Sequence, residues 1–286
     1  MTSTILADAS PAAGPSAHTL RAQPGRGLAF PGVLRSEWIK LSSLRSIRVT
    51  IVATVLSGLA LSALIAASMG EDVFGPGDAG LRGFLLMAAT FSAPFLALVF
   101  GVFGVFAISS EYSSGMILST LAAVPRRTPV FVAKAIVLAL IAAVMAFAVV
   151  AGGLAVAVAL RPESAAQLGS GAVISGGLGT VAYLVLIALF AFGVAGLLRS
   201  TAGGISVVAG VTFVLPVGFQ VLSMTGWEWV DLVAAYLPIS LGGTIGQGLG
   251  IESGEPGYWG SLAAMLVWAA VAVVPAAILF KRRDAR

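Results

Sequence analysis

Few side chains in this sequence could carry out chemistry. The 286 residues include one histidine, His18, and no cysteine. Disulfides, thiolate zinc sites, iron–sulfur clusters and a cysteine nucleophile are therefore excluded. His18 stands in a Pro-, Ala- and Ser-rich stretch that is typical of a solvated tail. The chain also lacks a GxxxxGKS or GxxxxGKT phosphate-binding loop, so we expect no ATP hydrolysis by the chain itself and no directly bound cofactor or metal.

One polar stretch, residues 109–129, separates two long apolar segments and combines charged, aromatic and small residues. These residues are Glu111, Tyr112, Gly115, Arg126 and Arg127. A serine before Glu111 can cap a short helix and leave the carboxylate in its favourable first turn. Pro125 would end that helix. The pattern predicts a short rigid helix followed by a basic corner, which suits a mechanical coupler for a soluble partner.

The apolar segments that must position this stretch are long. Six windows without charge contain between 22 and 35 residues each, and a membrane-spanning helix needs about 20. Only 10% of the residues are charged, against about 25% in soluble domains. We therefore predict an all-α polytopic membrane protein with six transmembrane helices. The predicted spans cover roughly residues 49–69, 84–108, 130–159, 173–197, 203–223 and 260–280.

A seventh uncharged stretch, residues 232–251, is a poor candidate for a continuous helix. It contains Pro238 and five glycines, and both residue types weaken a helix interior. Irregular backbone at membrane depth is tolerated where protein covers it. We predict a re-entrant or interfacial outer segment before the sixth span.

The placement of charge predicts the orientation. With six spans, 14 of the 16 Lys and Arg residues lie on the side of the two termini. The other side holds Arg82 and Arg161 with eight of the twelve acids. The positive-inside rule then places both termini in the cytoplasm. This rule also accounts for the net charge of +4, so no nucleic-acid partner is expected. The abundance of Ala, Gly and Val is typical of a GC-rich bacterial genome, so we expect the chain to be multi-pass in the bacterial cytoplasmic (inner) membrane.

The first 30 residues contain no apolar stretch of signal-peptide type. We predict a disordered cytoplasmic tail over 1–30 and a single six-span domain over 31–286. At its start, residues 33–47 form an amphipathic pattern through Leu34, Trp38, Leu41 and Leu44. Such a pattern predicts an interfacial helix, which could anchor the chain at the lipid surface or dock a cytoplasmic partner.

The spans contain no titratable residue near their middles. Proton-coupled carriers usually need one, so we expect any transport energy to come from another subunit. Four residues are candidates for a substrate path, namely Phe91, Phe95, Pro216 and Gln220. Each also has a plainer interpretation, because aromatic residues often pack against lipid and a proline can simply kink a span.

Three strings in this sequence resemble the permeases of ABC exporters, the ABC-2-type family. They are SEWIKLSSLRS over 36–46, ISSEYSSGMILSTLAAVPRRTPVFVAKA over 108–135 and LLRSTAGGI over 197–205. The resemblance extends over about 33–286 and is to six-span bacterial permeases. A composition rich in Ala, Gly and Val favours a GC-rich, actinobacterial source. The family often has Thr where this chain has Met116.

The resemblance implies a coupling helix between spans 2 and 3 that docks on a separate ATPase subunit. Glu111, Tyr112, Gly115, Arg126 and Arg127 would then lie at that interface, flanked by Trp38. It also implies a second permease, either a copy of this chain or a paralogue, surrounding lipid, ATP with Mg²⁺ on the partner subunit, and export. Two other classes stay open on the residues alone. They are a secondary carrier that works by itself and a membrane scaffold that transports nothing.

Overall fold

The computed structural model describes residues 30–43, 45–70, 73–113, 127–250 and 254–282. These residues form helices and turns, and no strand occurs among them. A 3-10 helix, Pro162–Gln167, and a π-helical turn, Gly210–Val214, interrupt the α-helical pattern. The α-helices are α1 (Phe30–Ser43), α2 (Arg45–Ser68), α3 (Gly77–Thr90), α4 (Ala93–Ser113), α5 (Arg127–Leu160), α6 (Gly171–Leu198), α7 (Thr201–Ala209), α8 (Leu215–Ser223), α9 (Glu228–Ala235), α10 (Pro238–Gly246) and α11 (Gly257–Arg282).

Six of the helical segments in the described part of the chain are long and apolar enough to cross a membrane. This confirms the predicted all-α, six-span fold, and a seventh span arises only if α9 and α10 together count as one. Residues 1–29 lie outside the described residues, so the predicted tail stays a prediction. The spans are span 1 (Ile47–Ser68), span 2 (Gly77–Tyr112), span 3 (Thr128–Leu160), span 4 (Gly171–Leu198), span 5 (Thr201–Ser223) and span 6 (Gly257–Lys281).

Span 4 is the centre of the bundle and the most buried of the six spans. It packs against spans 2, 3 and 6. Small residues bring these helices close together. A Cβ atom added to Gly104 would collide with the backbone of Ala188, and one added to Gly193 would lie 2.5 Å from the backbone carbon of Ala272. Span 4 therefore fixes the spacing of its neighbours.

Spans 2 and 5 are both interrupted near a proline. Span 2 consists of α3 and α4, which are separated at Phe91–Ser92, just before Pro94. In span 5 the N–H of Leu215 donates to Gly210 O, five residues back, next to Pro216. A proline lacks the N–H that would continue the helical ladder, and a π-helical turn is one way to absorb this loss.

Span 5 is also the least buried span, and α8 has no buried residue. Beyond it, α9 and α10 are bent by 68° relative to one another, close to the predicted outer segment. The helix is broken just before Pro238, whereas Gly242, Gly243 and Gly246 lie within α10. Whether the pair re-enters or lies along a membrane surface stays a prediction.

The bundle has two ends. We call the end at which α1 lies the α1 end and the opposite one the far end. At the α1 end, the start of span 3 meets the last turns of spans 4 and 6. The centroid of the Phe131 ring there lies 5.0 Å from that of Phe192 and 5.5 Å from that of Phe280. At the far end, Arg161 Nη2 donates to Met69 O over 2.6 Å, and Arg82 Nη1 donates to Gln167 Oε1 over 3.3 Å.

Candidate functional site

Four charged side chains meet at the α1 end, and we call Glu37, Lys40, Glu111 and Lys134 the ion cluster. Glu37 and Lys40 come from α1, Glu111 from the last turn of span 2 and Lys134 from the second turn of span 3. Glu37, Glu111 and Lys134 are exposed by only 1%, 4% and 2%. Charges buried this deeply are stable in a protein only when they are paired and hydrogen-bonded.

The geometry of the ion cluster provides that pairing. Lys134 Nζ lies 2.6 Å from Glu37 Oε2 and 2.5 Å from Glu111 Oε1. Lys40 Nζ closes the cluster, at 2.8 Å from Glu37 Oε1 and 3.1 Å from Glu111 Oε1. Two ammonium groups thus neutralise two carboxylates. Lys134 forms the link among three separate elements, α1, span 2 and span 3.

The ion cluster is not fully saturated. Glu111 Oε2 is buried and has no hydrogen-bond partner among the described residues. Lys40 is the more solvent-exposed member. Burial opposes the charge of Lys40, but the hydrogen bond to Glu37 and the nearby Glu111 carboxylate outweigh it and raise the pKa of this ammonium above its ordinary value. The charged form of Lys40 is therefore the form that the cluster stabilises.

The orientation of α1 explains why sequence patterns missed this site. Val33, Glu37 and Leu41 recur at intervals of four and form the buried stripe of α1. The predicted apolar stripe ran through Trp38, but the Trp38 side chain is 45% exposed. The sequence pattern did not place Glu37 on the buried face, because its partner, Lys134, is 97 residues away and cannot be recognised from the local sequence. Pairing between distant elements decides which face of this helix is buried.

The other residues predicted for coupling lie around the ion cluster or beyond the described residues. Tyr112 is half-buried next to Glu111, and Arg199 Cζ lies 5.4 Å from the centroid of its ring. This contact joins the end of span 2 to the turn between spans 4 and 5. Gly115, Arg126, the side chain of Arg127 and most of the predicted coupling helix lie outside the described residues.

A cavity of about 570 Å³ lies in the far half of span 2, and we call it the span 2 cavity. Phe91 and Phe95 line it, with ring centroids 5.7 Å apart. Pro216 and Gln220, predicted for the same path, are not among its lining residues, and Gln220 is exposed on span 5. The lining consists of Phe74, Gly83, Leu86, Met87, Thr90, Phe91, Ala93, Pro94, Phe95, Gly242, Gly243, Gly246 and Gln247.

These features define a multi-pass α-helical membrane protein with a buried cluster of four charged residues at one end of the bundle. A family model described as "ABC-2 family transporter protein" matches residues 33–220, which include most of α1, the ion cluster, spans 1–4 and most of span 5. The chain belongs to this family of membrane transport components. No curated protein shows significant similarity to it.

Proposed function

We propose that the chain is the permease subunit of an ATP-driven exporter and forms half of its translocation pathway. A separate ATPase subunit would bind ATP with Mg²⁺ and supply the energy. Family membership supports the transport role. The ion cluster is the observation that carries the proposal, because it joins α1 to span 2 and span 3, the two spans between which residues 114–126 lie in the sequence. On this proposal the α1 end, with both termini, faces the cytoplasm.

The ion cluster would make three elements move as one. The 114–126 segment begins directly after α4 and ends directly before α5. Lys134, which follows that segment in the sequence, bonds Glu111, which precedes it, and also Glu37 on α1. Removing one partner of a buried ion pair typically costs about 3–5 kcal/mol. A push on the segment would therefore displace span 2, span 3 and α1 together instead of separating them.

The roles of the predicted interface residues then differ. Trp38 is exposed on α1 and could touch the ATPase directly, together with Gly115, Arg126 and Arg127 of the connecting segment. Glu111 is buried within the ion cluster, and Tyr112 lies half-buried beneath Arg199. We therefore propose Glu111 as a positioning residue that transmits movement, and Tyr112 as a link from span 2 to the turn after span 4.

A second permease would cover span 5, the least buried span. Val217 and Val221 on α8 are 58% and 61% exposed. Because the chain has no cysteine, V217C and V221C allow clean crosslinking. We expect a bismaleimide reagent to join V221C protomers, or V221C and a cysteine-bearing paralogue, in native membranes. The matched control is L140C, since Leu140 is 50% exposed on span 3. Equal crosslinking of both variants, or none with V221C, would argue against this interface.

Purification with its partners tests the proposed function itself. The tagged chain would be isolated from its native membranes in mild detergent, and ATP hydrolysis would be assayed with and without vanadate. We expect a P-loop ATPase at equal stoichiometry and vanadate-sensitive hydrolysis. Absence of any ATPase, even after crosslinking through residues 109–129, would contradict the proposal. Transport without an ATPase would then identify a carrier, and no transport at all would leave a scaffold.

A further inference from the structure

The span 2 cavity lies between the interrupted part of span 2 and α10. Its walls include the Phe91 and Phe95 rings on one side and Gly242, Gly243 and Gly246 on the other. Phe95 and Gly243 are exposed, so the cavity opens at the surface of the bundle. Its volume of about 570 Å³ falls within the range of roughly 300–1,000 Å³ that is typical of small-molecule sites.

Gly243 keeps part of this cavity open without a packing reason. A Cβ atom on Gly242 would lie 2.5 Å from Tyr183 Cζ, and one on Gly246 would lie 3.3 Å from Thr90 Cβ, so close packing explains both of those glycines. A Cβ atom on Gly243 would meet nothing within 4 Å. Glycine is unfavourable in a helix interior relative to alanine. The sequence thus retains empty space at this position against the local preference of the helix.

The lining also defines the chemistry of an occupant. Among the residues that the structure describes, no charged side chain lines the cavity, and the two polar side chains in its lining are Thr90 and Gln247. The Thr90 hydroxyl donates to Leu86 O over 2.8 Å, so it is already used within its own helix. Gln247 follows α10 and is exposed, with its carboxamide available as donor and acceptor. An ion entering this cavity would lose its hydration without gaining a partner charge.

We propose that the span 2 cavity binds the transported substrate and that this substrate is an uncharged hydrophobic molecule with a hydrogen-bonding group near Gln247. The aromatic side chains of Phe91 and Phe95 contact the apolar body of the molecule. The site accepts a drug-sized compound and excludes ions and sugar polymers. The assignment as a substrate site rests on the proposed transport function, whereas the chemistry of the ligand rests on the cavity alone.

Binding of a matched pair of dyes to the purified complex in nanodiscs tests this proposal. Nile red serves as the neutral probe and rhodamine 6G as the cationic probe. The G243L variant fills the open space, and G171L is its control, because a Cβ atom on Gly171 also meets nothing within 4 Å and Gly171 does not line the cavity. We expect G243L to weaken Nile red binding at least tenfold and G171L to leave it unchanged. Wild-type protein should bind rhodamine 6G at least tenfold more weakly than Nile red.

Retention of the ATPase subunit on each variant separates failure of this proposal from failure of the proposed function. A G243L complex that keeps its ATPase and still binds Nile red like the wild type would overturn the cavity assignment. So would equal binding of the two dyes. A phospholipid that co-purifies with the wild type, is lost in G243L and blocks Nile red would instead make the cavity a structural lipid site. Suppose that the wild type binds Nile red, that G243L does not, and that neither associates with an ATPase. This result would support the ligand site and refute the exporter.

Discussion

The ion cluster and the span 2 cavity differ in the charge of their side chains. At the α1 end, Glu37, Glu111 and Lys134 are buried, and together with the partly exposed Lys40 they neutralise one another through contacts of 2.5–3.1 Å. In the far half of span 2, the thirteen described residues that line the cavity carry no charge. The first region is closed by side chains from three elements. The second is left open by residues with little or no side chain.

The difference shows how one bundle can contain both a rigid and an adaptable region. Breaking a buried ion pair costs much free energy, so the elements that the pair joins move as a unit. An apolar cavity has no such directional bonds and can accept molecules of different shape. The α1 end is suited to transmit force, and the far half of span 2 is suited to hold a ligand. Three changes probe this contrast, in order of decreasing effect.

Replacing Lys134 should have the largest effect. K134M leaves the Glu37 and Glu111 carboxylates buried with only the half-exposed Lys40 as counterion. Removal of one partner from a buried pair costs about 3–5 kcal/mol. We expect a large drop in the apparent melting temperature of the detergent-solubilised chain, measured by fluorescence-detected gel filtration after heating.

A triple variant, K134M/E37Q/E111Q, sharpens that result. Neutral side chains remove the uncompensated charges, so most of the lost thermal stability should return. Equal destabilisation by K134M and by the triple variant would indicate that Lys134 acts through its packing volume. The ion cluster would then be incidental to how α1 is attached.

Placing a charge in the cavity should have the next largest effect. Met87 lines the span 2 cavity and is half-buried. M87D introduces a carboxylate where the described lining residues offer no cation, at a cost of roughly 3 kcal/mol on membrane-insertion scales. M87L conserves shape and polarity and is the control. The same thermal assay measures both variants, and an M87D protein as stable as M87L would mean that water or a hidden cation reaches the cavity.

Removing the contact between Arg199 and Tyr112 should have the smallest effect. A cation over an aromatic ring is worth about 0.5–1 kcal/mol at a partly exposed site. R199Q should therefore lower thermal stability only slightly. R48Q, at an exposed position on α2, is the control and should be neutral within about 0.5 kcal/mol. Indistinguishable melting temperatures for R199Q and R48Q would mean that the contact between Arg199 and Tyr112 does not stabilise the α1 end.

Much of the fold could be predicted from the sequence because hydropathy is a local property. The six spans were predicted within a few residues at most ends, and the break next to Pro94 follows from a missing backbone donor. Span 2 is the exception, since it begins at Gly77 and ends at Tyr112 instead of covering 84–108. The predicted span was too short because it was drawn within a stretch without charged residues. Asp78, Arg82 and Glu111 lie within the true span and were therefore left out.

The ion cluster could not be predicted in the same way because its partners are remote in sequence. Glu111 and Lys134 are 23 residues apart, and Glu37 and Lys134 are 97 apart. A signal was nevertheless present, since acids and bases flank apolar segments that the charge distribution placed on the same side. The four residues predicted for a substrate path separate in the structure. Phe91 and Phe95 line one cavity, whereas Pro216 and Gln220 lie on span 5 and do not line it. A role in a substrate path stays a prediction for all four.

The central claim is that the ion cluster couples movement at the 114–126 segment to the spans and does more than hold α1 in place. The most direct measurement is the amount of Nile red exported per ATP hydrolysed in proteoliposomes containing the complete complex. We predict that K134M/E37Q/E111Q retains its ATPase subunit and hydrolyses ATP but exports at least tenfold less dye per ATP than the wild type. An unchanged ratio of export to hydrolysis in this variant would contradict the account.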